Sequence, residues 1–181
     1  MAMRLGVVVL FGLTSFLAAA LLFSVEPMIG KMILPVLGGT PAVWNTCLVY
    51  FQVTLLGGYL FAHGVNLTKA AQRSIAGVPY LSLLALLLTL GYVLQPIAIA
   101  PGVLTSSIER SPAIVLLGIL TVSATLPLLL VAATAPLLQS WFAVVPHPRA
   151  SDPYFLYAAS NAGSLMALMA YPLLIEPALG L

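Results

Sequence analysis

The stretch Ser24-Val25-Glu26-Pro27-Met28-Ile29-Gly30-Lys31-Met32-Ile33-Leu34-Pro35-Val36-Leu37-Gly38-Gly39-Thr40-Pro41-Ala42-Val43-Trp44-Asn45-Thr46 joins two long apolar runs. Each is long enough to cross a bilayer, whose hydrocarbon core of about 30 Å takes about 20 helical residues. Glu26-Pro27 is expected to end the first run. A residue before proline disfavours the helical region, and proline has no amide proton to donate. Pro27 to Leu34 then lies along the interface, with Met28, Ile29, Met32 and Ile33 on one side and Lys31 snorkelling to water. Gly38-Gly39 makes a turn, and Thr40-Pro41 starts the next helix, with threonine as N-cap and proline in the first helical position. Residues 26–40 are thus an expected interfacial elbow. A straight helix to Leu37 would run about 50 Å at about 1.5 Å per residue, too long for one span.

Composition puts the whole chain in the same class. Of 181 residues, 62% are hydrophobic and 6% charged, whereas soluble domains carry about a quarter charged residues. The chain reads as a polytopic membrane protein, and Leu5–Val25 as a retained first helix. That run is long for a signal peptide, and no small-residue cleavage site follows it. Six basic and four acidic side chains are too sparse for a nucleic-acid-binding face. The single cysteine, Cys47, cannot form an intrachain disulfide, has no Cys/His metal pattern around it, and is expected to pack as a small apolar residue. No glycine-rich phosphate loop, serine elbow or catalytically spaced carboxylate pair is present in the sequence. Catalysis, a cofactor and a metal are therefore not expected.

The expectation is an all-α integral membrane domain over 1–181, with about five transmembrane helices at roughly 5–25, 41–62, 74–94, 112–140 and 153–175. Ser111-Pro112 and Asp152-Pro153 repeat the Thr40-Pro41 start. The fourth helix could extend to Val145. Pro127 and Pro136 should kink it, with Ser123, Thr125 and Thr134 occupying the backbone groups so freed. Trp141 suits the headgroup level. Glu176-Pro177 is expected to end the fifth helix as Glu26-Pro27 ends the first. A cytoplasmic N-terminus places Arg4, Lys69, Arg73 and Arg149 inside and Lys31 and Arg110 outside, as the positive-inside rule favours. The sequon Asn66-Leu67-Thr68 then faces the cytoplasm and reads as chance. The expected location is the inner (plasma) membrane, multi-pass, with the lipid bilayer as the surrounding partner.

Few residues carry chemistry. Glu26 and Lys31 sit at the expected break, where a glutamate can bind a proton or cation or touch a substrate. The alternative is an ion pair or interfacial anchor that fixes the turn. Five residues apart on an ideal helix the two do not face each other, so pairing needs the break. Charges cost less near the membrane edge, which favours the structural reading. Asn45 and Gln52 can line a polar pathway or bond between helices, and the second is commoner. In the fifth helix, Ala159/Gly163 and Ser160/Ser164 form a small-xxx-small face for close helix contact. Tyr157 and Asn161 beside it can pack or line a cavity. Asp152 reads as an N-cap, and His63 and His147 as surface histidines.

Two stretches carry a resemblance. SVEPMIGKMILPVLGGTPAVWNTCLVYFQVTLLGGYLFAH, over Ser24 to His63, is one. The other, between Thr134 and Pro177, holds TAPLLQSWF and DPYFLYAASNAGSLMALMAYPLLIEP. They resemble the N-terminal membrane region of the bacterial fused major-facilitator/spermidine-synthase-like proteins, and together span about half the chain. In that family a facilitator-like bundle precedes a soluble domain similar to aminopropyltransferases. The sequence here stops after the fifth helix without the synthase-like domain, so no active-site residue is carried over. The resemblance implies a facilitator-like partial bundle. Facilitator halves hold two three-helix repeats, and five helices fall one short. Other membrane subunits, or a missing C-terminal part of the same protein, would then supply the remaining surface. A transport-related or scaffolding role is implied, beside a separate aminopropyltransferase-like partner that could dock on the loops Lys69 to Arg73 and Pro146 to Asp152. The alternative reading is a non-catalytic accessory subunit of a larger membrane complex.

Overall fold

A computed structural model describes residues 2–67 and 111–179. The third expected span, the loops around it and the cations Lys69, Arg73 and Arg110 lie outside the described residues. Within them, all regular structure is helical: α1 (Ala2–Leu37), α2 (Pro41–Leu67), α3 (Pro112–Phe142), α4 (Tyr154–Ala170), a π-helical turn (Tyr171–Ile175) and a last short helix, α5 (Glu176–Leu179). Four helical stretches are long and apolar enough to span a membrane: Leu5–Pro35, Pro41–Leu67, Pro112–Phe142 and Tyr154–Ala178.

The expected break at Glu26-Pro27 does not occur, and there is no interfacial elbow. α1 continues for 36 residues with Pro27 and Pro35 inside it. The reason is packing. Val25, Ile29, Ile33 and Leu37 repeat every four residues and are buried in one cluster with Val43, Cys47, Tyr50, Leu116 and Leu120. A buried Leu-sized side chain makes 40–60 atom contacts of about 0.1–0.2 kcal/mol each. Four such side chains outweigh the roughly 3 kcal/mol that each of the two interior prolines costs. The helix ends instead at Gly38, whose φ of +75° is the left-handed conformation that closes a helix C-terminus. Its amide donates to Leu34 O at 2.9 Å. Thr40 then caps α2, accepting from the Val43 amide at 3.4 Å through its hydroxyl oxygen.

Ser111 and Pro112 also start a helix, although the Ser111 side chain makes no capping bond. The hydroxyls of α3 do not fill the groups that its prolines free. Ser123 donates to Ile119 O at 2.5 Å and Thr134 to Leu130 O at 2.9 Å. Each reaches back four residues, to a carbonyl that a short hydroxyl side chain meets on its own helix, and not to the carbonyls of Ser123 and Ala132 that lie four residues before the prolines. Asp152 sits one residue early for a cap and accepts from the Tyr154 amide at 3.4 Å. At the far end Glu176-Pro177 does not stop the chain. The Glu176 amide bonds Tyr171 O across the π turn, and α5 carries on through Pro177.

The helices stand in a row, α4–α1–α3–α2. α1 packs along α4, α2 along α3, and α1 against α3, while α1 and α2 barely touch. Contacts along the α1/α4 pair rise together in number, from Ser15 with Leu156 to Lys31 with Glu176, so the pair is parallel. The same holds from Tyr50 with Leu120 to Asn66 with Ser140 for α2/α3. α1 and α3 are antiparallel: Phe11 meets Phe142, and Val25 to Leu37 share a cluster with Leu116 and Leu120.

Candidate functional site

The two pairs close on glycine. A Cβ at Gly163 of α4 would overlap the Phe16 carbonyl oxygen, with the carbonyl carbon at 3.0 Å. A Cβ at Gly58 of α2 would stand 2.6 Å from the Ala132 Cβ and 2.9 Å from Leu129 O. Gly163 is buried with Leu156 and Ala167 on the face toward α1, and Ala159, Ser160 and Ser164 flank it half-buried. Ser164 bonds within its own helix, to Ser160 O at 3.1 Å. Above the α1/α4 crossing, Lys31 Nζ lies 2.6 Å from Glu176 Oε1. A π turn adds one residue to the helix and rotates the residues beyond it, which turns Glu176 toward α1. Tyr171, in that turn, is buried, with a hydroxyl that has no hydrogen-bond partner among the described residues. It lies within electrostatic reach of both Lys31 and Glu176.

Lys31 therefore pairs across helices with Glu176, not with Glu26. On an unbroken helix, residues five apart point to different sides. Glu26 is half-buried and, among the described residues, has no ion-pair partner. Asn45, Gln52, Tyr157 and Asn161 do not converge with these charges. All four are exposed, the first two on α2 and the others on α4, at opposite ends of the helix row. The six candidate pathway residues thus fall in three places. Among the described residues no cluster of His, Cys, Asp and Glu could hold a metal ion, and no serine or cysteine is paired with a histidine.

Other polar groups join the helices. The Tyr50 hydroxyl donates to Leu120 O at 2.8 Å and lies 2.8 Å from the Thr125 hydroxyl. Ser140 donates to Asn66 Oδ1 at 2.8 Å, and Ser15 to Leu156 O at 3.2 Å. Sequence reading passes over Tyr50 and Ser15, because one tyrosine or serine in an apolar helix carries no pattern. Asn66 stands out only as part of a sequon. The pair Gly57-Gly58 is the visible signal of the α2/α3 contact, without its partner. Comparison with family models, curated proteins and solved structures returns no match for this chain.

Proposed function

We propose that the chain is a facilitator-like module of a bacterial inner membrane, with its N-terminus in the cytoplasm and a transport-related or scaffolding role. The observation that carries this reading is the exchange of helices. α1 and α3 lie antiparallel at the centre, α2 crosses to pack on α3, and α4 crosses back to pack on α1. These pairings and directions are those that a two-fold axis in the membrane plane would interchange, the relation expected of inverted repeats within a facilitator half. The resemblance of Ser24–His63 and Thr134–Pro177 to the membrane part of spermidine-synthase-like fusion proteins supports the same assignment. Five spans fit the described ends: α2 finishes where α1 begins, and α3 starts at the other end of the bundle, as a crossing over 74–94 requires. Proteoliposomes carrying wild type and Glu26→Gln provide the test. Uptake or binding of polyamines and related cations by wild type, reduced in the variant, supports transport. No binding by either protein removes it.

A second reading, an accessory subunit without transport of its own, is favoured by one observation. Asn45, Gln52 and Asn161 present carboxamides on outward faces of the bundle, where lipid offers no hydrogen bond. Native mass in mild detergent tests it, and a monomer that transports unaided overturns it.

A further inference from the structure

We propose that α2 is the seam along which two copies of this protein associate, parallel and in register. α2 turns Val43, Cys47, Tyr50, Thr54, Gly58 and Ala62 inward. On the opposite side Asn45, Val49, Gln52, Leu56, Tyr59 and His63 are all exposed. Their spacing alternates four and three residues, the repeat that keeps a seam facing a second helix in a left-handed pair. Asn45, Gln52 and Tyr59 stand seven apart in one layer, and Val49, Leu56 and His63 in the other. Among the described residues none of the four polar members has a hydrogen-bond partner.

Lipid does not suit this stripe. The outward residues of α1 and α3 are mostly aliphatic, among them Leu5, Val9 and Leu13 on one and Ile114, Val122 and Leu126 on the other, all more than half exposed. Gln52 is near the middle of the 27-residue α2, at the depth where an unpaired amide in hydrocarbon is least tolerated. A second copy satisfies it without further chemistry. Copies inserted with one orientation can meet only about an axis along the membrane normal, so α2 meets its own counterpart in parallel. Each layer then faces itself. A carboxamide carries both donors and an acceptor, so Asn45 against Asn45 and Gln52 against Gln52 are self-complementary. α2 contains no Lys, Arg, Asp or Glu to oppose the pairing. It also stands at the end of the helix row, where no described helix blocks approach.

The test is oxidative cross-linking of the full chain in membranes, in a Cys47→Ala background. Single cysteines are introduced as Val49→Cys, Gln52→Cys and Leu56→Cys on the stripe, with Val53→Cys and Val122→Cys as exposed controls. Covalent dimers concentrated at the three stripe positions support the seam. Equal yields at Val122→Cys, or none on the stripe, overturn it. So does rapid chain-internal cross-linking between Gln52→Cys and Leu84→Cys, which would mean that the segment 74–94 covers the stripe. Light scattering in mild detergent gives a second measure. The variant Asn45→Leu/Gln52→Leu should dimerise about tenfold more weakly, from roughly threefold per amide layer. Cys47 should stay protected from thiol reagents, as in a folded bundle. An unchanged dimer in that variant also overturns the seam.

Discussion

The two parallel pairs, α1/α4 and α2/α3, are built alike and tied differently. Each crosses at one buried glycine, Gly163 in the first and Gly58 in the second. In α1/α4 the glycine faces main chain, the Phe16 carbonyl. Beyond it the pair is held by one serine-to-carbonyl bond and an ion pair at its rim. In α2/α3 the glycine faces a methyl group as well as main chain, and neutral hydrogen bonds join the helices near both ends. Where backbone meets backbone, no side chain can be trimmed to make room. Where a methyl group stands in the way, one can. The first crossing is the less forgiving contact.

Gly163→Val should therefore produce the largest loss of any single change in the bundle, about 3 kcal/mol or more, the upper end of overpacking costs. Cys47 is buried on α2 in the cluster that α1, α2 and α3 share, so its reaction with a thiol-reactive dye on heating reports the opening of that shared core. Early labelling in Gly163→Val would mean that the pairs melt together. Protected Cys47 with disrupted α1/α4 contacts would mean that they are separate cooperative units.

Gly58→Ala should cost less, about 1–3 kcal/mol, and it should be partly reversible. Ala132→Gly removes the methyl group nearest the new Cβ, so the double variant should recover part of the loss in a thermodynamic cycle. No equivalent rescue exists for Gly163. Failure of Ala132→Gly to help would place the strain on Leu129 O and the Ala133 amide instead, and erase the distinction between the crossings. Tyr50→Phe comes next. It removes the hydroxyl shared by Leu120 O and Thr125 and should lower stability by about 1 kcal/mol, read as an earlier onset of Cys47 labelling. Ser140→Ala, losing one interhelical bond to Asn66, should cost about 0.6 kcal/mol.

The same contrast separates what the sequence discloses from what it hides. Thr40-Pro41 and Ser111-Pro112 mark helix starts because capping and proline placement are local chemistry. Asp152-Pro153 does so to within one residue. Glu26-Pro27 misleads because the row Val25, Ile29, Ile33 and Leu37 finds partners on α2 and α3, and that packing overrides a local preference. The partner of Lys31 lies at the other end of the chain, on a π turn that no periodicity announces. Gly163 is visible as part of a small-residue face, whereas its contact with the Phe16 backbone depends on which helix arrives there. Asn45 and Gln52 are legible as amides in a span, but the side of α2 they occupy is settled only once Cys47 and Tyr50 are seen to face α3.

The smallest effect belongs to the one charged tie among the described residues. Lys31 and Glu176 are 44% and 25% exposed, at the rim of the bundle, where water and salt weaken an ion pair. Glu176→Gln should shift the onset of Cys47 labelling far less than Gly163→Val, and the shift should shrink further as salt is raised. The neutral ties of α2/α3 should show no such salt dependence, because Tyr50, Thr125, Asn66 and Ser140 carry no charge. The buried Tyr171 hydroxyl beside the pair makes the contrast sharper. If Glu176→Gln instead destabilises as much as Gly58→Ala at every salt concentration, the pair is holding the π turn in place around Tyr171. The α1/α4 pair would then depend on its charged rim as much as on its glycine.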